Sequence, residues 1–243
     1  MINLAISLAI GLAVALAVKL PTTLPWAGAI APGFLAAAVA YVLLAQRTRK
    51  KLEALFQAMQ RDVQAQKIDR ALQSLQAGFA LAPWQFLVGP QIHSAMGQLL
   101  YAVRNDLDAA LPHLEKAFSR DWIGRGLLAA ARYKKKDVAG ARKVLEDAVK
   151  ASKKEGVLWS AYAWILEDAG EHDEAIRVLG RAVGANASDE KLKASLQALQ
   201  NGKKLKLGKL YAEQWFLFRL EAPPPQFVGP SFRGGKRAIY GRR

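Results

Sequence analysis

The sequence of 243 residues contains no cysteine, only three histidines, and fewer acidic than basic side chains. The absence of cysteine excludes disulfide scaffolds, cysteine-based zinc sites and thiol catalysis. The 35 lysines and arginines outnumber the 20 aspartates and glutamates, so the formal net charge is +15. A surplus of this size favours anionic partners, among them lipid headgroups, nucleic acid and acidic protein segments.

Charge is almost missing from residues 1–45, where Lys19 is the single side chain charged at neutral pH. Residues 2–20 form one apolar run, and residues 26–45 form a second one after a proline-flanked turn. At about 1.5 Å per helical residue, each run has nearly the ~30 Å thickness of a bilayer core. The two runs therefore predict a transmembrane helical hairpin over residues 1–45.

Two alternatives to the hairpin are a cleaved secretory signal and a buried helical pair in a soluble protein. Met1 is not followed by the cationic start of a signal peptide, and a buried pair would be apolar on one side only. Pro32 predicts that the second helix either kinks there or begins near that residue. Because no charged residue lies at mid-span, we expect an anchor and not a channel or a proton relay.

Four cations directly follow the second run: Arg47, Arg49, Lys50 and Lys51. The positive-inside tendency places such a cluster on the cytoplasmic side of a membrane. We therefore expect an integral membrane protein with both termini in the cytoplasm, and a bacterial inner membrane is the default location. The cluster is also placed to contact anionic lipid headgroups.

Residues 52–200 carry apolar side chains at helical spacing, and one pattern recurs four times. It consists of a small residue, a large residue four positions later and a second small residue three positions after that, which lets two helices approach closely. The four trios are separated by 39, 31 and 34 residues: Ala71, Leu75 and Gly78; Ala110, Leu114 and Ala117; Ala141, Leu145 and Ala148; Ala175, Leu179 and Ala182.

This pattern resembles the tetratricopeptide repeat family, whose units are helix hairpins of 34 residues. In the last unit Trp159 and Gly170 also match the family pattern, whereas Lys136 stands in place of the turn glycine of the preceding unit. The resemblance implies an all-α fold with about four helix hairpins in an α-solenoid over residues 46–187. The alternative is an unrelated helical bundle.

Two segments follow the predicted solenoid. Residues 188–221 are expected to form a capping helix and a basic, aromatic segment, of which residues 203–220 are equally compatible with helix and strand. This segment is too apolar to remain in water, so it should pack on the last repeat or on a partner. Residues 222–243 are rich in proline, glycine and basic side chains and are typical of an extended or disordered tail.

The resemblance also implies a groove for a partner, because in the family the first helix of each hairpin turns one face into the superhelix. On this register the groove carries Phe56, Leu99, Tyr133, Lys134, Trp164 and Glu167. An apolar and aromatic groove suits an amphipathic helix or an extended peptide. Whether the groove is open, or filled by neighbouring helices or by residues 205–220, the sequence leaves undecided.

No pattern in the sequence indicates catalysis. His93, His113 and His172 do not pair with one another at ligand spacing, so we expect each to be a surface or half-buried side chain. The carboxylates around Gly170 are explained by the helix that begins there. Phosphate-binding loops and nucleophile motifs are absent. We therefore expect a protein without enzymatic activity, cofactor or metal.

Two functions remain from the sequence. The first is a membrane-tethered adaptor that binds a protein partner through its groove at the cytoplasmic face of a membrane complex. The alternative is a basic membrane-associated protein that binds nucleic acid or ribosomes, and the basic charge of the chain favours this alternative.

Overall fold

The computed structural model describes residues 1–23, 25–222 and 224, and these residues form helices and connecting turns without any strand. The all-α prediction is confirmed. The chain divides into two compact units, residues 1–92 and the part from His93 onward. The predicted basic tail, residues 222–243, lies outside the described residues except for positions 222 and 224.

The first unit begins with two long apolar helices. Its helices are α1 (Ile2–Lys19), α2 (Trp26–Gln64) and α3 (Ile68–Gly78), followed by a short 3-10 turn. By length and composition, α1 and α2 are each able to cross a membrane. Because α2 starts at Trp26 and passes through Pro32, the second helix does not begin near the proline. It also continues through residue 45, so no linker separates the apolar run from the residues that pair with α3.

The pair formed by α1 and α2 is held by contacts between small residues. A Cβ atom on Gly11 would lie 2.7 Å from the Gly33 carbonyl oxygen, and one on Gly33 would lie 2.6 Å from the Gly11 carbonyl oxygen. The two backbones therefore touch, as is common between helices in lipid, where close packing replaces the hydrophobic effect. Near one end of the pair, buried Asn3 donates a hydrogen bond of 2.9 Å from its Nδ2 to Thr48 Oγ1.

The next six helices form three successive antiparallel pairs, and a seventh helix packs on the sixth. They are α4 (Val88–Leu99), which continues as a π-helical turn, α5 (Leu107–Glu115), α6 (Trp122–Lys134), α7 (Val138–Ala151), α8 (Gly156–Asp168), α9 (His172–Ala185) and α10 (Glu190–Gln200). All but one residue of the four predicted trios are buried, and Ala117 is half-buried just beyond α5. The trios thus lie where second helices pack on first helices.

Two short helices, α11 (Leu207–Tyr211) and α12 (Glu213–Leu217), end the described fold. Within residues 203–220, for which the sequence left helix and strand open, these two helices are the regular structure. Its large apolar side chains are buried: Leu207, Trp215 and Phe218 are each 0 % exposed. We refer to residues 205–221 as the C-terminal segment.

A residue with positive φ lies at the same place in each of the four helix pairs. Gln66, Asn105, Lys136 and Gly170 have φ angles of 60°, 57°, 66° and 85°. Lys136 therefore adopts the left-handed conformation that the family pattern assigns to glycine, at a cost of roughly 1–2 kcal/mol that glycine avoids. The turn is set by the packing of the two helices and not by the residue in it.

Candidate functional site

The six predicted groove residues do not all lie on one surface. Tyr133 and Lys134 end α6, and Trp164 and Glu167 lie in the last turns of α8. Leu99 in α4 is only 5 % exposed, and Phe56 in α2 belongs to the first compact unit. The candidate site is therefore built from the ends of α6 and α8, and we call this surface the α6–α8 face.

A row of aromatic rings crosses the α6–α8 face. The Tyr133 ring meets Trp164 edge-on with centroids 6.0 Å apart, and Trp164 lies 5.7 Å from Trp215 of α12. Trp215 in turn lies 6.3 Å from Phe218 at an interplanar angle of 90°. Edge-on pairs at these distances are the geometry that aromatic quadrupoles favour. The C-terminal segment thus packs on the α6–α8 face.

One carboxylate joins the two tryptophans of this row. Trp164 donates from Nε1 to Glu221 Oε1 at 3.1 Å, and Trp215 donates from Nε1 to Glu221 Oε2 at 2.7 Å. Hydrogen bonds to an ionised acceptor are about twice as strong as neutral ones. Glu221 therefore fixes the orientation of both indoles and the end of the C-terminal segment.

The C-terminal segment is also anchored on α4, α6 and α8 by contacts of its own. Phe218 lies so close to Gly126 that a Cβ atom on Gly126 would be 2.4 Å from the Phe218 ring. The Tyr101 hydroxyl donates a hydrogen bond of 2.6 Å to the Phe218 carbonyl oxygen. Ser160 donates to the Tyr211 hydroxyl at 3.1 Å. Burial raises the pKa of Tyr211 to about 12, so the hydroxyl stays neutral at physiological pH.

Two cations lie beside the aromatic row. Lys134 Nζ lies 5.0 Å from the centroid of the Tyr101 ring, and burial together with the charge of Arg219 lowers the pKa of Lys134 to about 8. Burial also lowers the pKa of Arg219. Its Nη1 donates a hydrogen bond of 2.8 Å to Asn105 Oδ1. Lys134 and Arg219 thus place two cations at one edge of the face, and the charge of Arg219 is felt by Lys134.

The other polar groups of the face have partners within the chain. The Tyr133 hydroxyl donates to Asp168, and burial followed by this hydrogen bond raises the pKa of Tyr133 to about 12. Glu167 Oε2 lies 2.7 Å from His172 Nδ1. These pairs fix the side chains of both predicted residues at the ends of α6 and α8.

The four predicted membrane-surface cations lie on consecutive turns of α2 and point to different sides of the helix. Arg47 and Lys51 are four residues apart and share one face, Lys50 lies to one side of that face, and Arg49 lies opposite to it. Arg49 Nε forms an ion pair of 2.7 Å with Glu53. The four cations therefore do not form a single surface.

Two of the three histidines, His93 and His113, meet in the fold although they are not at ligand spacing in the sequence, and all three are half-buried as predicted. His93 Nδ1 lies 3.0 Å from His113 Nδ1, because antiparallel α4 and α5 bring residues twenty positions apart together. Burial lowers the pKa of both rings, and the charge of Lys116 lowers them further. Among the described residues, no group of three or more histidine, aspartate or glutamate side chains is arranged to hold a metal ion.

Sequence reasoning missed Trp215, Arg219 and Glu221 as members of this face. The density of aromatic residues between positions 210 and 218 was the available signal, and it predicted packing without saying on what. The partners of a segment that follows the last repeat are set by how the chain turns back after α10, which local periodicity does not encode.

The comparison with protein families agrees with the helical pairs described above. Residues 132–199, from the end of α6 to α10, match the family model described as tetratricopeptide repeat. A comparison with curated proteins finds no match to this chain. Tetratricopeptide repeats generally mediate contacts between proteins and are typically without enzymatic activity, so this part of the chain is similar to interaction modules.

Proposed function

We propose that the protein is a membrane-tethered adaptor that binds a protein partner on the α6–α8 face. The pair of α1 and the apolar half of α2 spans the bilayer in this proposal. Residues 46–243 lie at the cytoplasmic surface, as the cations Arg47 to Lys51 favour. A bacterial inner membrane remains the default location.

The observation that carries the tethering is the continuity of α2. One helix of 39 residues includes an apolar half of membrane-spanning length and a polar half that packs against α3. At about 1.5 Å per residue the polar half reaches nearly 30 Å past the apolar half. The pair formed by α3 and the polar half of α2 is therefore continuous with the spanning helix and is not joined to it by a flexible linker. This continuity suits a scaffold fixed at the membrane.

The partner is proposed to bind beside the C-terminal segment and not in its place. Trp215 and Phe218 are fully buried, and burial of such a side chain contributes about 1.5–3 kcal/mol each. Tyr133, Lys134, Trp164 and Glu167 remain half-buried and thus still offer surface. Because Lys134 and Arg219 place two cations at the edge, an acidic partner segment fits this surface best.

A photoreactive phenylalanine analogue in place of Tyr133 tests the proposal in native membranes. We expect a crosslink to a second protein from position 133. The same analogue at Arg177, which is on α9 and has a side chain 71 % exposed, serves as the control and should give none. A product that contains only the C-terminal segment of the same chain would contradict the proposal. Recovery of RNA that is lost at high salt would favour the nucleic-acid alternative instead.

The tethering is tested separately by extraction at alkaline pH. A spanning hairpin keeps the full chain in the membrane pellet, whereas a protein attached by surface charge is released. Release of the full chain would show that α1 and α2 do not span, whatever the result of the crosslinking.

A further inference from the structure

A cavity of about 170 Å³ lies in the first compact unit, at the end of the apolar helix pair. It is large enough for a group of several atoms. Four of its lining residues share one face of α2, at positions i, i+3, i+4 and i+7, and the others come from α1 and from the turn after α3. The lining consists of Asn3, Leu44, Arg47, Thr48, Lys51, Leu81 and Trp84.

Hydrogen bonds hold the three walls of this cavity together. The first turn of α1 donates backbone hydrogen bonds from Ile2 N to the Pro83 oxygen at 2.9 Å and from Asn3 N to the Trp84 oxygen at 3.1 Å. Asn3 and Thr48 are 1 % and 5 % exposed, and their side chains are bonded to each other. The cavity is therefore formed by fixed elements and does not depend on a chance arrangement of exposed side chains.

The charge of the lining is positive. Arg47 and Lys51 contribute two cations from one face of α2, and no acidic residue lines the cavity. Within the described part of the chain neither has a carboxylate partner, in contrast to Arg49, which is paired with Glu53. An anion in the cavity would thus contact two cations that no internal acid neutralises.

The surroundings of the cavity are those of a membrane surface. Leu44 belongs to the apolar run, and Arg47 is the first cation after it. Trp84 of the lining is 40 % exposed, and tryptophan is enriched at the level of lipid headgroups. When the helix pair spans a bilayer, the opening of the cavity lies among the phosphates of one leaflet.

We propose that this cavity binds the phosphate group of an anionic phospholipid. Arg47 and Lys51 contact the phosphate oxygens, while Leu44, Leu81 and Trp84 contact the glycerol and the first acyl carbons. A lining with two positive and no negative side chains favours a headgroup of net negative charge over a zwitterionic one. The assignment of this phosphate to a lipid rests on the proposed function, because a lipid headgroup reaches the cavity only if the hairpin spans the bilayer.

The four clustered cations at residues 47–51 of α2 offer a matched test of this site. The full chain is purified in mild detergent with equal amounts of phosphatidylglycerol and phosphatidylcholine, and the retained lipid is counted by native mass spectrometry. R47Q together with K51Q should reduce retained phosphatidylglycerol about tenfold or more, at about one kcal/mol of attraction per cation. R49Q together with K50Q removes the same charge from the same helix outside the cavity and should change retention less than twofold.

Charge-preserving substitutions separate binding from folding. R47K together with K51R should keep most of the bound phosphatidylglycerol, and circular dichroism should show the same helix content in all variants. Equal loss in both glutamine pairs would overturn the site and leave only general attraction between charges. Equal retention of the two lipids by the unchanged protein would also overturn it.

Two further arms identify the source of the phosphate. Inorganic phosphate at millimolar concentration should not displace the lipid, because it lacks the apolar contacts to Leu81 and Trp84. Displacement at that concentration would show a free-phosphate site and overturn the lipid assignment. Alkaline extraction of the unchanged chain tests the spanning hairpin by itself, so its failure is distinguishable from a failure of the cavity to bind.

Discussion

Replacing Trp215 by alanine should destabilise the second compact unit strongly. The indole is 0 % exposed, its ring meets Trp164 and Phe218, and its Nε1 donates 2.7 Å to Glu221. Removing a buried aromatic side chain costs about 3–5 kcal/mol, which includes the cavity left behind. The cost should lie in the upper half of that range, because Glu221 also loses one of its two indole donors.

Urea unfolding of the full chain in mild detergent, followed by circular dichroism at 222 nm, measures this loss. W26A is the control, since Trp26 is 58 % exposed in the other compact unit and its removal should cost less than about 1 kcal/mol. Hydrogen exchange should show faster exchange in residues 205–221 of W215A. A free energy of unfolding within about 1 kcal/mol of the unchanged protein would refute the view that this segment is part of the fold.

Three other substitutions or conditions test separate features. G33L places its Cβ 2.6 Å from the carbonyl oxygen of the facing glycine and should lower stability in detergent by about 1–3 kcal/mol, whereas G180L, with open space around it, should not. K136G relieves a φ of 66° and should raise the free energy of unfolding by about 0.5–1 kcal/mol, measured as a higher urea midpoint. The pKa values of His93 and His113 are lowered in the folded chain, so the unfolded chain binds more protons below pH 6.5 and the urea midpoint should fall between pH 7.5 and 5; a flat profile would contradict this.

The helix pairs were predictable because their signals are local. Each trio of small, large and small residues defines where two neighbouring helices touch, and the spacing of the trios equals that of the left-handed turn residues. Lys136 shows that the turn does not need the glycine of the family pattern. The apolar helices were predictable for the same reason, since length and hydropathy are properties of a continuous segment.

The candidate site was predictable only in part, because half of it comes from far along the chain. Tyr133 and Trp164 follow from the register of the first helices, but Trp215 and Glu221 reach them only after the chain turns back beyond α10. The pair of His93 and His113 was missed for a similar reason, since its spacing has meaning only once α4 and α5 are antiparallel. Contacts between distant segments need the tertiary fold.

The continuity of α2 has a local explanation in hindsight. Residues 46–64 contain neither glycine nor proline, and they are rich in lysine, arginine, glutamine, leucine and alanine, which favour helix. Nothing in that stretch ends the helix that begins at Trp26. The predicted boundary of the hairpin at residue 45 followed the change in composition. The helix continues past it because residues 46–64 favour helix.

The central claim, that α1 and α2 span a membrane with the repeats on one side, is tested most directly by the accessibility of single cysteines. The natural chain has no cysteine, so each introduced thiol is the only one present. In intact cells, a maleimide that does not cross membranes should label T23C in the connecting turn. K50C and K153C should react only after the membrane is permeabilised. Equal labelling of all three positions in intact cells, or of none before permeabilisation, would contradict the account.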